Sequence, residues 1–597
     1  MKTLDFETEA IVGNPLVNPP KPVGLAILDT VHESDGMYIT DWDLMRQAWC
    51  EALDSKEPLL FHNAPFDLSV GLHWLGGAEP HWERIHDTMF VLFQADPYSH
   101  SLGLKQSADR YLDLPPQEQD HLHNWIMSNV PEATKKTAGA FICHAPVQLV
   151  CPYAIGDVYR TRLLYDKLIN RISFEAYDRE RRLAPKLRAS GVKGIRLDTE
   201  RLESDYGLCL RSMSTCDDRI YGLLGGEEFN IGSGVQLADR LDKAGLVDHF
   251  ILTAKGRRST SKDNLIKVCK DPNLVDLLAY RSTMKTCTGT FMGPWLKFAE
   301  EDGRVHTEWN QVANDEGAHA GARTGRLSSS RPNFQNPPNP FGTEPPDGLS
   351  PLPNMRSYLL PELGHRWIKR DFSSQEIRIL AHFEDGQLMR AYNEDAFLDP
   401  HTMAQDLIRE HTNVTYPRGD VKQTGFGIIY GMGVPGLAQQ LGRPTGEAYT
   451  LREAYFNAMP AAAQLASSTR SRGRSGGAVT TWGGRKYPVE PPKIVRGAMR
   501  SFEYKLLNYL IQGSAGDQTK QVLCDWIEDF KSEDTVFTST IHDEINASVP
   551  EEQWQFEMAS LREAMDQNLF DVPMRSEGSY GPHWGSLTTM TKEEDYG

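Results

Sequence analysis

Long apolar runs are missing from this chain of 597 residues: nowhere do 18 apolar residues follow one another, so no stretch has the length of a membrane-crossing helix. The opening, Met1-Lys-Thr-Leu-Asp-Phe-Glu-Thr8, lacks the features of a signal or transit peptide. The expectation is a soluble protein that stays in the cytoplasm, with no membrane partner. Cysteine is scarce: eight residues, at 50, 143, 151, 209, 216, 269, 287 and 524, with no CxxC pair, which argues against a zinc centre or a disulfide framework and for a reducing compartment. Cations are in deficit too, 63 Lys and Arg against 81 Asp and Glu, for a net charge of −18. That balance opposes general coating of a polyanion, which needs cations. It permits a basic lining inside an acidic shell. Between 470 and 505, Arg470, Arg472, Arg474, Arg485, Lys486, Lys493, Arg496, Arg500 and Lys505 stand against only Glu490 and Glu503.

What is present is ordinary globular composition, 40% hydrophobic and 9% aromatic, at a length that implies three or four domains. The stretch Trp367 to Phe383 organises the rest. Trp367 and Ile368 read as a buried strand and Ile377, Leu380 and Phe383 as the helix after it, which puts Asp371 at the junction. Thr535 to Val549 reads as a β-hairpin with His542, Asp543 and Glu544 at its tip. Alternation sets Asp543 on the face of Ile541, Ile545 and Ala547, a costly place for a lone charge. Two such aspartates from separate strands can hold a pair of Mg2+ ions roughly 3.5–4 Å apart, the arrangement of phosphoryl-transfer chemistry. Between them, Arg418, Lys422, Phe426 and Tyr430 follow at steps of four and so form one helical stripe, cations at one end and rings at the other. Such a stripe suits a nucleoside triphosphate. Gly425 and Gly427 each sacrifice about 1 kcal/mol of helix propensity, and close approach of a ligand or template would explain them.

Near the N-terminus, Asp5 and Glu7 alternate onto one face of a strand signal and could share a metal. Asn63-Ala-Pro-Phe-Asp67 comes next, and Tyr153-Ala-Ile-Gly-Asp157 places a phenol and a carboxylate one helical turn apart. Asp87 reads equally well as structural.

Together these segments resemble the DNA polymerase I family (family A): Trp367–Phe383 its motif A, Arg418–Gly431 motif B and the hairpin motif C. The three N-terminal segments look like those of the DEDD exonucleases in the version that carries a tyrosine. The resemblance implies α/β and α+β multidomain architecture, with a ribonuclease H-like exonuclease domain over 1–173 followed by a right-hand polymerase: mainly thumb over 174–300, palm over 301–400 with motif A, fingers over 401–500, and palm again over 501–597. It implies Asp371 and Asp543 as metal ligands of one site, and Asp5, Glu7, Asp67 and Asp157 as those of the other, where Tyr153 orients the attacking water. Each site would hold two Mg2+, with Mn2+ as a substitute. Ser101-Leu-Gly-Leu-Lys105 fits the connecting elements and carries no catalytic role.

The incoming dNTP is assigned to Arg418, Lys422, Phe426, Tyr430, Glu376 and His401, the last from Asp399-Pro-His401-Thr402. Primer-template DNA is assigned to Arg281 and Lys285 of the thumb, to Arg326, Asn333 and Gln335 of the T-G-R-L-S-S and P-N-x-Q-N segments, to Arg485 and Lys486, to Asn508 and Gln512, and to His542. Amides suit the minor groove, whose acceptors are similar in every base pair. Two departures stand out: Tyr487 replaces the last basic residue of T-x-x-G-R-R-R, and Tyr504 an arginine four before Asn508. The proline-rich run from Pro337 to Pro353, with Pro340 inside it, reads as a loop outside the cleft. Glu376 keeps two readings: Ser373-x-x-Glu376 is a capping-box pattern, and in the family this glutamate is a steric gate against a ribose 2′-OH.

A chain whose first exonuclease motif starts at residue 5 is expected to lack the 5′-nuclease domain and to be a monomeric phage replicase, with a phage helicase-primase and single-strand-binding protein as partners. A single-subunit RNA polymerase is opposed by the exonuclease motifs and Glu376. A retired nucleic-acid-binding protein is opposed by the intact carboxylate sets.

Overall fold

The computed structural model describes residues 1–253, 255–313, 321–338, 344–495 and 497–597, so Pro340 and Arg496 lie outside the described residues. Five strands near the N-terminus, β1 (Lys2–Thr8), β2 (Pro22–Leu28), β3 (Met37–Ile39), β4 (Leu59–Phe61) and β5 (Ile85–Asp87), form a mixed sheet in the order β3-β2-β1-β4-β5. β1 runs antiparallel to β2 and parallel to β4, which runs parallel to β5. Both faces are covered, as the unbroken Leu-Leu-Phe of β4 requires. Leu59 and Phe61 pack with Leu4, Phe6 and Trp49 on one side, and Leu60 with Phe93, Leu164 and Leu168 on the other. Two helices, α1 (Ala64–Trp74) and α3 (Val147–Leu168), carry the remaining N-terminal candidate residues, and α2 (Leu104–Leu112) lies between them in the chain.

α4 (Phe174–Lys193) starts where the Ser173 hydroxyl accepts from the Ala176 amide and stops at Gly194. α5 (Thr199–Leu223), capped by Asp198 onto the Arg201 amide as its sequence implies, packs on α6 (Pro272–Thr286).

The second large sheet contains β6 (His365–Phe372), β7 (Val536–Ile541), β8 (Glu544–Pro550), β9 (Ser576–His583) and β10 (Ser586–Thr589), antiparallel throughout in the order β7-β8-β6-β9-β10. Between β6 and β7 the chain forms α7 (Gln375–Glu384), α8 (Pro400–Thr412), α9 (Arg418–Ile429) and the long α10 (Leu506–Asp525). Side chains of β6 alternate between two cores. Ile368 joins Ile377, Leu380, Ile545, Leu507 and Ile511 beneath α7 and α10. Trp367 faces the other way, among Leu202, Leu277, Met284 and Ile541, and stacks on Trp584 at 5.9 Å and 12°.

α4 lies inside the span expected to be mainly thumb, yet its packing is different. Arg179 donates to the Gly483 carbonyl and to Gln521, each at 3.0 Å, and Glu180 meets Lys520 of α10 at 2.5 Å. Arg181 donates to the Ile85 carbonyl of β5 at 2.7 Å. The helix is a strut between the first sheet and α10, and the α5–α6 body begins after it.

Next to Asp371, Arg370 is fully enclosed; both oxygens of Asp595 accept from it at 2.8 Å, and Ser576 accepts through its hydroxyl and carbonyl. Losing one member of a buried pair strands the other's charge, at about 3–5 kcal/mol, whereas an apolar replacement of both is far milder. Asp595→Ala is therefore expected to unfold at clearly lower urea than wild type, and Arg370→Met with Asp595→Leu at an intermediate or unchanged midpoint, monitored by tryptophan fluorescence. Equal loss in the single and the double variant would remove the pair as the cause.

Candidate active sites

Asp371 pairs in register with Glu544, so β6 delivers it to the mouth of the β7–β8 turn. That turn is the dipeptide His542-Asp543, with His542 at φ +58°, and the Asp543 carbonyl accepts from the Phe372 amide at 3.3 Å. Hairpin and junction therefore meet as the sequence implies. Burial, then the charges of Asp543 and Glu544, push the Asp371 carboxyl up to about 7; burial also raises Asp543, opposed by Arg326. Asp371 Oδ1 is buried without a hydrogen-bond partner. Two desolvated carboxylates brought together with an oxygen left over are costly for protein alone, and they fit a divalent cation. Glu544, by contrast, is satisfied by Asn546 at 2.7 Å, Trp584 at 3.3 Å and Lys369 at 3.2 Å.

The stripe on α9 is present. Arg418 pairs with Asp399 at 2.7 Å, Lys422 Nζ lies 6.0 Å from the Phe426 ring, and Phe426 stacks on Tyr430 at 6.1 Å and 19°. His401 approaches Phe426 at 5.8 Å, and burial lowers its imidazole to about 4, so it is neutral near pH 7. One of the two glycines has a local packing explanation. A Cβ on Gly425 would come within 2.8 Å of the Tyr455 hydroxyl, so this glycine serves helix packing, while at Gly427 the nearest atom is at 3.5 Å and a methyl group would fit.

Glu376 does not form a capping box. α7 begins at Gln375, the residue before it, Ser374, is left-handed at φ +56° and makes no side-chain cap, and the Ser373 hydroxyl donates to Glu577. The Glu376 carboxylate accepts from Arg326 at 2.7 Å and from Gln512 at 3.4 Å. It also lies against the Tyr430 phenol, which burial and this carboxylate push up to about 12. Arg326 and Gln512, expected on DNA, are thus engaged with Glu376.

Other expected DNA contacts separate into reachable and committed groups. Lys285, Asn333, Lys486 and His542 are exposed, as are Arg470, Arg472 and Arg474, and Asn508 is half-buried with Oδ1 unpartnered. Arg281 is paired to Asp217. Gln335 is spent on the turn: its amide donates to the Thr540 carbonyl at 2.6 Å and accepts from the His542 amide at 3.3 Å, which fixes the hairpin tip. Arg485, expected on the template backbone, is instead a structural residue. At 3% exposure it is locked to Asp517 and lies 3.6 Å from Glu180, and the backbone at Gly325 lies so close over its guanidinium that a Cβ there would overlap it. A buried cation with these partners has no surface for a phosphate.

In the first sheet, β1 presents Asp5 and Glu7 together, and one carboxylate oxygen from each and one from Asp157 on α3 lie within 4.8 Å of one another. Asp67 of α1 accepts from the Phe6 amide at 2.9 Å. Burial pushes Asp5 up to about 6, burial and Asp5 push Glu7 up to about 8, and Asp67 is raised by the same causes. Glu7 Oε1 is buried and unpartnered, so this donor set too fits a divalent ion. Tyr153 sits one turn before Asp157. Asp87 is structural: it accepts from the amides of Asn63, Ala64 and Met89. Sequence reasoning missed Lys105 of α2, whose ammonium is paired to Asp157 and stands 4.1 Å from the centre of the Tyr153 ring. A lone lysine in Ser-Leu-Gly-Leu-Lys was its only signal.

Among the described residues no helix is long and apolar enough to cross a membrane. The family model for DNA polymerase family A matches residues 199–586. DNA polymerase I of Chloroflexus aurantiacus is 29% identical over 554 residues, 90% of this chain and 55% of that protein. DNA polymerase I of Geobacillus stearothermophilus is 31% identical over 415 residues, 68% of this chain and 45% of that protein. The chain thus spans about half the length of these curated relatives. In fold it is similar to the POL domain of Pol1 from M. smegmatis, solved in complex with DNA primer-template and dNTP, with a TM-score of 0.75 at 23% identity over 98% of this chain and 96% of that one. With the matched segment carrying both Asp371 and Asp543 and the α9 stripe between them, the chain belongs to DNA polymerase family A.

Proposed function

We propose that this protein is a template-directed DNA polymerase that adds dNTPs to a primer 3′ end and carries a 3′–5′ exonuclease in its first sheet. The observation that carries the polymerase reading is the meeting of Asp371 and Asp543 at one strand end, with a buried carboxylate oxygen unpartnered. Two Mg2+ ions held there would activate an attacking oxygen and stabilise a leaving one. The protein's own groups do the rest. Arg418 and Lys422 neutralise triphosphate, Phe426 and Tyr430 offer flat faces to sugar and base, and Glu376, fastened by Arg326, closes the space beside Tyr430. Lys285, Lys486 and the arginines at 470, 472 and 474 are exposed, and this reading assigns them to the DNA backbone.

The exonuclease reading is supported by the convergence of Asp5, Glu7 and Asp157 beside Tyr153. Replication of a phage genome by a monomer in the host cytoplasm, with helicase-primase and single-strand-binding partners, rests on the sequence resemblance. The test is a labelled hairpin primer-template with Mg2+: it should lengthen when dNTPs are present and shorten from its 3′ end when they are withheld. A hairpin that neither lengthens nor shortens refutes the reading.

Phe426 supplies a sharper check. On α9 its ring faces the space between His401 and Tyr430, where the sugar of an incoming nucleotide would sit. Phe426→Tyr adds a hydroxyl that can stand in for a missing sugar 3′-OH, so discrimination against dideoxynucleotides should fall by about one to two orders of magnitude, the worth of one hydrogen bond to a charged group. Unchanged competition between dTTP and ddTTP would place the ring away from the sugar.

A further inference from the structure

Lys105 places a cation inside the carboxylate cluster of the first sheet. It is the second residue of α2, it is 8% exposed, its ammonium is paired to Asp157, and the ring face of Tyr153 lies 4.1 Å away. The ring-face contact favours the charged form, since the quadrupole of a tyrosine attracts an ammonium. The other carboxylates are within reach of the same space, because one oxygen each of Asp5, Glu7 and Asp157 lie within 4.8 Å of one another. Glu7 Oε1, buried and without a partner, marks the side of the cluster that the lysine leaves unsatisfied. Of the other charges nearby, Arg160 and Glu118 are paired to each other, and Asp67, beside Asp5 and Glu7, accepts from the Phe6 amide.

A divalent ion shared by these three carboxylates draws on the Asp157 carboxylate, to which Lys105 is paired. Two cations on one carboxylate in a desolvated site repel, so one must give way. We propose that Lys105 is the resident counter-cation of this site: its ammonium occupies Asp157 until a divalent ion displaces it, and this competition sets the metal concentration at which the site becomes active. The proposal rests on the exonuclease reading. It also accounts for a lysine buried among carboxylates.

The measurement is Mn2+ binding to the full chain, read from the EPR signal of the free ion, in an Asp371→Asn, Asp543→Asn background that silences the second sheet's site. Lys105→Met should bind Mn2+ at least about tenfold more tightly than the Lys105 protein, because an opposing charge is removed. Lys105→Arg keeps the charge and should stay weak. Asp5→Ala with Glu7→Ala should abolish the difference. A lysine that merely braces the fold predicts the reverse, weaker binding in Lys105→Met as the ligands loosen, so unchanged or weaker binding overturns the proposal. If Lys105→Met fails to fold, judged by its melting curve, Lys105→Gln serves in its place with the same expectation. Degradation of a 3′-labelled oligonucleotide separates the two readings: if the Lys105 protein degrades it in an Asp5- and Glu7-dependent way while Mn2+ affinity does not respond, only the counter-cation fails. If no such degradation occurs at any Mn2+ concentration, the exonuclease reading fails and takes this inference with it.

Discussion

Asp371→Ala or Asp543→Ala should lower primer extension by at least about a thousandfold and leave 3′ degradation at the wild-type rate. A metal ion acting on the attacking and leaving oxygens contributes several kcal/mol of transition-state stabilisation, and each 1.36 kcal/mol is about tenfold, so loss of a ligand that organises both ions reaches this size. Independence of the two activities follows from separate supports. Asp371 and Asp543 stand on β6 and the β7–β8 turn, whereas Asp5, Glu7 and Asp157 stand on β1 and α3. The reciprocal variant, Asp5→Ala with Glu7→Ala, should keep extension and lose degradation by a similar factor. Rates for both reactions on one labelled hairpin decide the matter. A folded Asp371→Ala protein deficient in both would merge the sites, and a double variant that still degrades 3′ ends would end the exonuclease reading.

Glu376→Ala should lower the preference for dCTP over CTP by about 10- to 100-fold. The carboxylate is 8% exposed, pinned by Arg326 and Gln512 and set against Tyr430, so a ribose 2′-OH entering there meets an immobile group. Forcing one extra heavy atom into packed space costs about 1–3 kcal/mol, which is the origin of the factor. Glu376→Gln is the control. It preserves volume and removes charge, so it should change the preference by less than about threefold if sterics decide. Loss of preference in both variants would shift the explanation to the Arg326 ion pair, and no change in either would place the sugar elsewhere. A helix-capping account is no longer available, since Ser374 is left-handed and caps nothing.

Local signals proved legible where the chemistry is carried by neighbours in sequence. The strand-to-helix junction at Asp371, the two-residue turn at Asp543, the four-residue steps of α9 and the turn from Tyr153 to Asp157 each depend only on backbone periodicity, and each is present. Long-range partners were not legible. Arg485 looked like a free cation because Glu180, which shares its pocket, is 305 positions away and arrives only when α4 docks on α10. Gln335 looked like a reader of DNA because Thr540, to which it is bonded, lies 205 positions on. Gly425 suggested a ligand because Tyr455 belongs to another helix. The capping-box pattern at Ser373 failed for a backbone reason: a turn in the left-handed region postpones the helix and redirects Glu376 into the cleft. Lys105 escaped because nothing in a single lysine reveals that α2 will aim it at α3.

The Arg370–Asp595 clasp bears on the order in which the protein matures during synthesis. Arg370 is buried beside Asp371, but its counter-charge is 225 residues later in the chain. Ribosomes deliver residues at about 5–20 per second, so β6 waits roughly 10–45 s for Asp595. Until then β6 carries a guanidinium with no counter-charge, and β8 and β9, the strands that flank β6, are themselves late arrivals. The first sheet has its last strand at Asp87 and its carboxylates complete on α3 by Leu168, with Tyr177, Arg181 and Val312 joining it later. A nascent chain should therefore acquire its N-terminal carboxylate cluster well before the Asp371 site exists, and a ribosome stalled short of Asp595 would display the one without the other.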